Sequence, residues 1–527
     1  MIPVLAAAEP FSKIDIDYAA ISPMLVVFGG ALVSVLVEAF VGRRERHEVQ
    51  LGISVVSLVG AFVALVTLSR HHMVSTMAGA AVIDQVSVFL QGLLLVLSCI
   101  SIMIMGERLS SGSADAFAPS ASSIPGSKQE ELAERVGAVT TEVFPLALFA
   151  TGGMMMFVAA GDLLAMFVAL EVLSLPLYVM TAVARRRRLL SQEAALKYFL
   201  LGSFSSAFFL FGAALLYGFA GSISLGVIAQ AIFSSINPGL LVPGVVFTLF
   251  GVLFKIGAWP FHNWVPDVYQ GAPTPITGFM AACTKIAAFG ALLRLVYVGV
   301  SGSRWDWLIM LWVVAAVTMI VGAVLTVTQT DIKRLLAYSS VAHAGFILVG
   351  FLAFDQSAVR GVMFYLAAYG FTTVAAFGMA FLVRVEGMEA TSVQQWEGLG
   401  RRHPMFAGVF FVLLLGFAGI PLTSGFTAKL AAFLPAVKYG GPAGVVLVVI
   451  GVLCSLVTAY AYFRIASAMF RSDDSVPDSE GAAVAEVLVP SSTTVFAIAM
   501  GVIVTVALGV FPSPLLQIFG TTTQFLP

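Results

Sequence analysis

Apolar runs of about twenty residues or more recur along the chain, separated by short polar stretches. They fall at roughly 21–41, 49–69, 84–105, 140–159, 161–183, 196–219, 241–264, 271–299, 307–328, 332–354, 358–384, 405–436, 443–470 and 489–513. At 1.5 Å per residue each is long enough to cross the hydrocarbon of a bilayer as a helix. The pattern predicts an all-α integral membrane protein of about fourteen transmembrane helices. Between the third and fourth runs, "ERLSSGSADAFAPSASSIPGSKQEELAERVG" (107–137) is rich in Ser, Ala, Pro and Gly and reads as a mobile loop. An acidic linker, "RSDDSVPDSEGAA", precedes the last helix.

Two runs carry breakers in their interiors. In the seventh, "FKIGAWPFHNW" places Pro260 one turn after Lys255; in the twelfth, "GFAGIPLTSGFTAKL" places Gly419, Pro421 and Gly425 ahead of Lys429. Proline lacks a backbone donor and crowds the preceding turn, so helices seven and twelve should break near Gly257–Pro260 and Gly419–Gly425. Paired interruptions point to inverted repeats around a mid-membrane ion site. The predicted organisation is three helices over 1–106, the loop 107–137, a first five-helix repeat over 138–299, a second over 300–470, and a linker with the last helix over 471–527.

Composition agrees with lipid as the solvent: 59% of the 527 residues are hydrophobic and 10% charged, against about 25% charged in soluble chains. A net charge of −1 offers no basic face to nucleic acid. Cys99, Cys283 and Cys454 sit singly in apolar runs, so no metal, cluster or disulfide site is expected. The N-terminus lacks the basic start of a cleaved signal peptide. Alternate loops are basic ("GRRERH", "ARRRRLLSQEAALK", "TQTDIKR", "EGLGRRHP"), which places that set, with the 107–137 loop, in the cytoplasm and both termini outside it. Arg185–Arg188 reads as a topology anchor.

Of eight lysines, four fall within apolar runs. Lys255, Lys285 and Lys429 lie near the middles of the seventh, eighth and twelfth runs and Glu171 near the middle of the fifth, whereas Lys197 sits near the start of its helix. A charge at mid-bilayer costs about 2.5–3.5 kcal/mol even on insertion scales, so four together cost at least ~10 kcal/mol and must face protein or water. Lysines that outnumber the nearby acids are poor structural glue. A desolvated amine holds its proton less firmly and a carboxylate restores the hold, by about 4 kcal/mol at 4 Å and an effective dielectric of ~20. That is the chemistry of a proton relay. Between Lys285 and Lys429 the tenth and eleventh runs supply Tyr338, Ser339, Ser340, His343, Tyr365, Tyr369, Thr372 and Thr373, able to hold a hydrated row; His343 is a candidate relay group, though a lone buried histidine is as readily structural.

At "LEVLSLPLYVM", "ALKYFLLGSFSSAFFLFGAALLYG", "FKIGAWPFHNWVPDVYQGAPTPITGFMAACTKIAAFGALLRL", "QTDIKRLLAYSSVAHAGFILVG" and "AGIPLTSGFTAKL" the chain resembles the antiporter-like subunits of bacterial proton-pumping NADH–quinone oxidoreductase (respiratory complex I). The likeness is strong over about 140–470. It implies that Glu171 and Lys197 modulate a proton-bearing Lys255, that Lys285 is the central connection and that Lys429 lies on the output side. It also implies that FMN, Fe–S clusters and quinone sit on other subunits, and that the partners are neighbouring antiporter-like and small membrane subunits in a bacterial plasma membrane. The alternative is a subunit of a multisubunit cation/proton antiporter. The sparse intramembrane carboxylates, of which only Glu171 is central, argue against a dedicated Na⁺ site, since hard cations want oxygen ligands.

Overall fold

The computed structural model describes residues 15–108, 115–119, 124, 127–135, 140–185, 187–234, 238–471, 485–518 and 525–526. Helix occupies every apolar run. In chain order the helices are α1 (Tyr18–Phe40), α2 (Arg43–Thr67), α3 (Gln85–Met105), α4 (Lys128–Arg135), α5 (Val143–Ala159), α6 (Leu163–Thr181) and α7 (Arg188–Ala220). There follow α8 (Leu225–Ser234), α9 (Leu241–Ile256), α10 (Trp264–Gly271), α11 (Thr274–Phe279), α12 (Lys285–Arg294), α13 (Arg304–Thr328) and α14 (Ile332–Phe351). The last are α15 (Gln356–Leu382), α16 (Leu399–Arg402), α17 (Pro404–Ala418), α18 (Ser424–Tyr439), α19 (Gly441–Phe470), α20 (Ser492–Val510) and α21 (Ser513–Ile518). Eleven helical spans among the described residues are long and apolar enough to cross a membrane alone. Length by itself leaves the count of fourteen open, because α5, α8, α9 and α17 are shorter.

Several of the few acids serve the backbone. Asp17, Asp84, Asp162, Asp331 and Asp355 each accept N–H groups at the starts of α1, α3, α6, α14 and α15, satisfying donors that no helical carbonyl can reach. The span Thr274–Gly299, with α14 and α15, is almost wholly enclosed, whereas α2, α19 and α20 leave most of their surface exposed. α13 packs along α14, α7 along α9, and α15 lies between α18 and α20. The strands are short: β1 (Val74–Thr76) pairs antiparallel with β2 (Ala81–Ile83), and β3 (Val383–Val385) pairs antiparallel with both β4 (Met388–Glu389) and β5 (Glu486–Val487).

Helices seven and twelve break as the prolines require. α9 ends at Ile256 and Gly257 turns left-handed at φ +77; α17 ends at Ala418 and Gly419 does the same at φ +78. Lys255 therefore lies in the last turn of a half-helix, not in the middle of a continuous one.

The 107–137 segment departs from a free loop where it is described. Phe117 bridges Ala184, the Ala118 N–H donates to Val183 O, Asp115 meets Arg185 at 3.5 Å, and Lys128–Arg135 is helical. Backbone pairing to the α6–α7 connection supplies partners that composition does not reveal. Its residues 109–114, 120–123, 125, 126, 136 and 137 lie outside the described set.

Candidate functional site

A proline deprives one particular carbonyl of its partner. In a helix the carbonyl of residue i takes the N–H of residue i+4, so Pro260 leaves Ile256 O without a donor and Pro421 leaves Phe417 O without one. The structure meets both vacancies in the same way. Lys285 Nζ donates to Ile256 O at 2.9 Å and to Ser340 O at 2.8 Å. Lys429 Nζ donates to Phe417 O at 3.2 Å and Ala418 O at 2.8 Å, and to the Ser455 hydroxyl. Each broken helix thus ends on an ammonium, which also suits the negative end of the helix dipole. Lys285 is 1% exposed and Lys429 7%, and the interior bonds of Lys429 exclude a side chain reaching out to headgroups. A π-helical turn, Met280–Thr284, immediately precedes Lys285, a local unwinding often found at functional positions.

Lys255 has a different setting. Its Nζ donates to Tyr198 Oη at 3.3 Å and lies 5.0 Å from the Tyr198 ring centre and 5.7 Å from that of Tyr178. Tyr198 stacks at 4.7 Å on Trp264, whose indole N–H donates to Phe254 O at 2.8 Å. Aromatic faces from α6 and α7, backed by Trp264 of α10, therefore hold this cation. Glu171 is within electrostatic reach of Lys255, and its Oε1 is buried without a hydrogen-bond partner.

Between the ammonium groups the polar row is only partly assembled. His343 Nδ1 lies 2.8 Å from Tyr365 Oη, and its ring is within electrostatic reach of both Lys285 and Lys429. Ser339 bonds the hydroxyl of Tyr462. Tyr338 instead lies half-buried beside Arg334, and Thr372 turns away to Thr505 on α20.

Lys197 is not part of the interior cluster. At 43% exposure it pairs with Glu193 at 2.7 Å and Asp267 at 2.9 Å, and not with Glu171. Asp267 also takes Arg334 at 2.7 Å, tying α7 to α10 and α14. Sequence reasoning had no role for Asp267, whose signal is its place in the "NWVPDVYQG" block. It likewise missed Tyr178, Tyr198 and Ser455, and the buried pair of Arg294 and Asp84 at 2.6 Å, which joins α12 to the start of α3. Among the described residues no group of three or more His, Cys, Asp or Glu side chains could hold a metal.

Residues 160–455 match the family model described as NADH:quinone oxidoreductase/Mrp antiporter, TM. NADH-quinone oxidoreductase subunit N of Mycobacteroides abscessus is 51% identical, over 97% of this chain and 98% of the relative; that of Rhodococcus opacus is 51% identical over 99% and 98%. A chain of respiratory complex I from Thermus thermophilus with bound aureothin superposes with a TM-score of 0.75 at 28% identity, covering 94% of this chain and 98% of the other. A chain of the Mrp complex from Dietzia gives a TM-score of 0.76 at 22% identity over 96% and 97%, a likeness of fold alone.

Proposed function

The chain belongs to the subunit N family of NADH-quinone oxidoreductase, and from that membership we propose that its buried amines carry protons across the membrane arm of the complex. Lys255, modulated by Glu171, receives the proton; Lys285 and His343 pass it on; Lys429 delivers it. Lys197 acts from the edge, through Asp267 and Arg334. NADH oxidation and quinone reduction, with FMN and Fe–S clusters, belong to other subunits, and neighbouring antiporter-like and small membrane subunits flank this one in a bacterial plasma membrane. The arginine-bearing face is cytoplasmic and both termini lie outside. Residues 138–299 and 300–470 form the two inverted repeats.

One observation carries this reading: Lys285 and Lys429 are buried against carbonyl oxygens at proline-broken helix ends, and among the described residues no carboxylate bonds either. A carboxylate would lock the charge in place. A carbonyl accepts from an ammonium and, more weakly, from the N–H of a neutral amine, so the cradle can hold the side chain in both states without fixing the proton as a carboxylate would. Outward transfer against the membrane potential costs about 2.3 kcal/mol per charge per 100 mV, supplied by the remote redox step.

The test is the proton-to-electron ratio of NADH oxidation in inverted vesicles. Lys255→Ala should assemble but pump less, Glu171→Gln should also pump less, and Glu171→Asp should keep part of the activity. An unchanged ratio in Lys255→Ala overturns the assignment.

A further inference from the structure

On the arginine-bearing face, a cavity of 230 Å³ whose lining includes none of the buried relay lysines is lined by Asp115, Arg185, Arg187, Lys333, Arg384 and Glu389. Its walls come from four parts of the chain: the docked 107–137 segment, the α6–α7 connection, the turn between α10 and α11, where Ala272 O accepts from Lys333 Nζ at 2.7 Å, and the second half through α14 and the β3–β4 hairpin. Four basic side chains face two carboxylates. Asp115 is taken by Arg185 at 3.5 Å, while Glu389 is shared between Lys333 at 3.4 Å and Arg384 at 3.9 Å. Arg187 meets the Thr391 hydroxyl at 3.2 Å.

Two of these cations, Lys333 and Arg384, are buried. Arg384 is 6% exposed; its Nε donates to Phe381 O at the end of α15, and its Nη2 has no hydrogen-bond partner. Asp115 is 1% exposed with Oδ2 likewise unpartnered. Glu389 lies too far from that Nη2 to bond it and is shared with Lys333, and a buried guanidinium with an unbonded N–H group is expensive. Its planar fork matches an oxyanion with several acceptor oxygens. Basic pockets between helices on a cytoplasmic face have the chemistry to hold phosphate headgroups. Burial raises the Asp115 carboxyl to about 7, so it can meet an anion as a donor instead of repelling it.

We propose that this cavity binds a phosphate-class oxyanion, either free phosphate or the headgroup of an anionic phospholipid, held by Arg384, Lys333 and Arg187 and cross-linking the two halves of the chain. The site lies outside the proton relay and stands or falls separately from it.

The experiment is hydrogen–deuterium exchange on the intact purified complex, comparing sodium phosphate with sodium chloride at equal ionic strength. A second arm compares phosphatidylglycerol nanodiscs with phosphatidylcholine nanodiscs in phosphate-free buffer. Protection of residues 115–118 and 383–389 by inorganic phosphate identifies the free anion; protection by phosphatidylglycerol alone identifies the headgroup. Either result supports the site if Arg384→Gln and Arg187→Gln weaken the effect about tenfold or more, the scale of one charge-assisted bond, while the remote Arg402→Gln does not. Arg187 is exposed, so its variant carries the test should Arg384→Gln fail to assemble. No protection in either arm, or protection unchanged in the Arg187 and Arg384 variants, overturns the proposal.

Discussion

Lys285 allows its structural and proton-bearing roles to be separated by one pair of substitutions. Its ammonium holds Ile256 O at 2.9 Å and Ser340 O at 2.8 Å. The two carbonyls are not equivalent. Ser340 lies inside α14 and can still meet the N–H of Ala344, as any mid-helix carbonyl does; Ile256 would need the N–H that Pro260 lacks. Lys285→Met therefore strands one buried acceptor, at a cost of about 1–3 kcal/mol. That destabilises the first half without preventing assembly. Lys285→Gln supplies amide N–H donors, and a neutral hydrogen bond returns about 0.5–1.5 kcal/mol of the loss. Thermal stability should thus rank wild type, then Gln, then Met. Pumping should not follow that order. Neither replacement can hold a proton, and each 1.4 kcal/mol added to a transfer barrier slows it tenfold, so coupled turnover should fall about tenfold or more in both. The assay is NADH-driven proton uptake in inverted vesicles beside the melting temperature of the purified complex. A Gln variant that pumps normally would falsify the relay role and leave Lys285 as a cap for a broken helix.

Other perturbations follow from the same geometry. Gly419 sits at φ +78, and a Cβ there would lie 2.9 Å from Lys429 Nζ; Gly419→Ala should cost about 1–2 kcal/mol of backbone strain and reduce pumping with Lys429 intact, measured by melting and proton uptake. Arg294 and Asp84 pair at 2.6 Å, each 1% exposed; Arg294→Met strands a buried carboxylate at about 3–5 kcal/mol and should deplete assembled complex on native gels, whereas a normal yield would count against the pair as a strut. The Asp115 carboxyl is raised to about 7 by burial, which outweighs the Arg185 charge. The docked state therefore favours the protonated acid: the anchor is at full strength below about pH 4, where the free group also titrates, and weakens as pH rises through 7. Exchange protection of residues 115–118 should be greater at pH 6 than at pH 8, and Asp115→Asn should remove that difference.

The sequence alone determined whatever depends on chain neighbours. Apolar runs of spanning length dictate helices in lipid, since no other local structure satisfies the backbone there. Pro260 and Pro421, each beside a glycine free to turn left-handed, dictate where helices seven and twelve break. Lysines among apolar residues announce buried amines whatever the packing. Tertiary structure decided who meets whom. Lys285 answers a carbonyl 29 residues back, and Arg294 finds Asp84 across 210 residues; such pairings turn on how each helix is rotated against its neighbours. Lys197 illustrates the difference most plainly. The sequence placed it near the start of its helix without a partner, and α7 and α10 pack so that it meets Asp267. The docked 107–137 segment is a second case, because its composition lacks an apolar pattern and its anchor is backbone pairing to a distant connection. Local chemistry sets what each group needs, and only the packed helices bring the partner that supplies it.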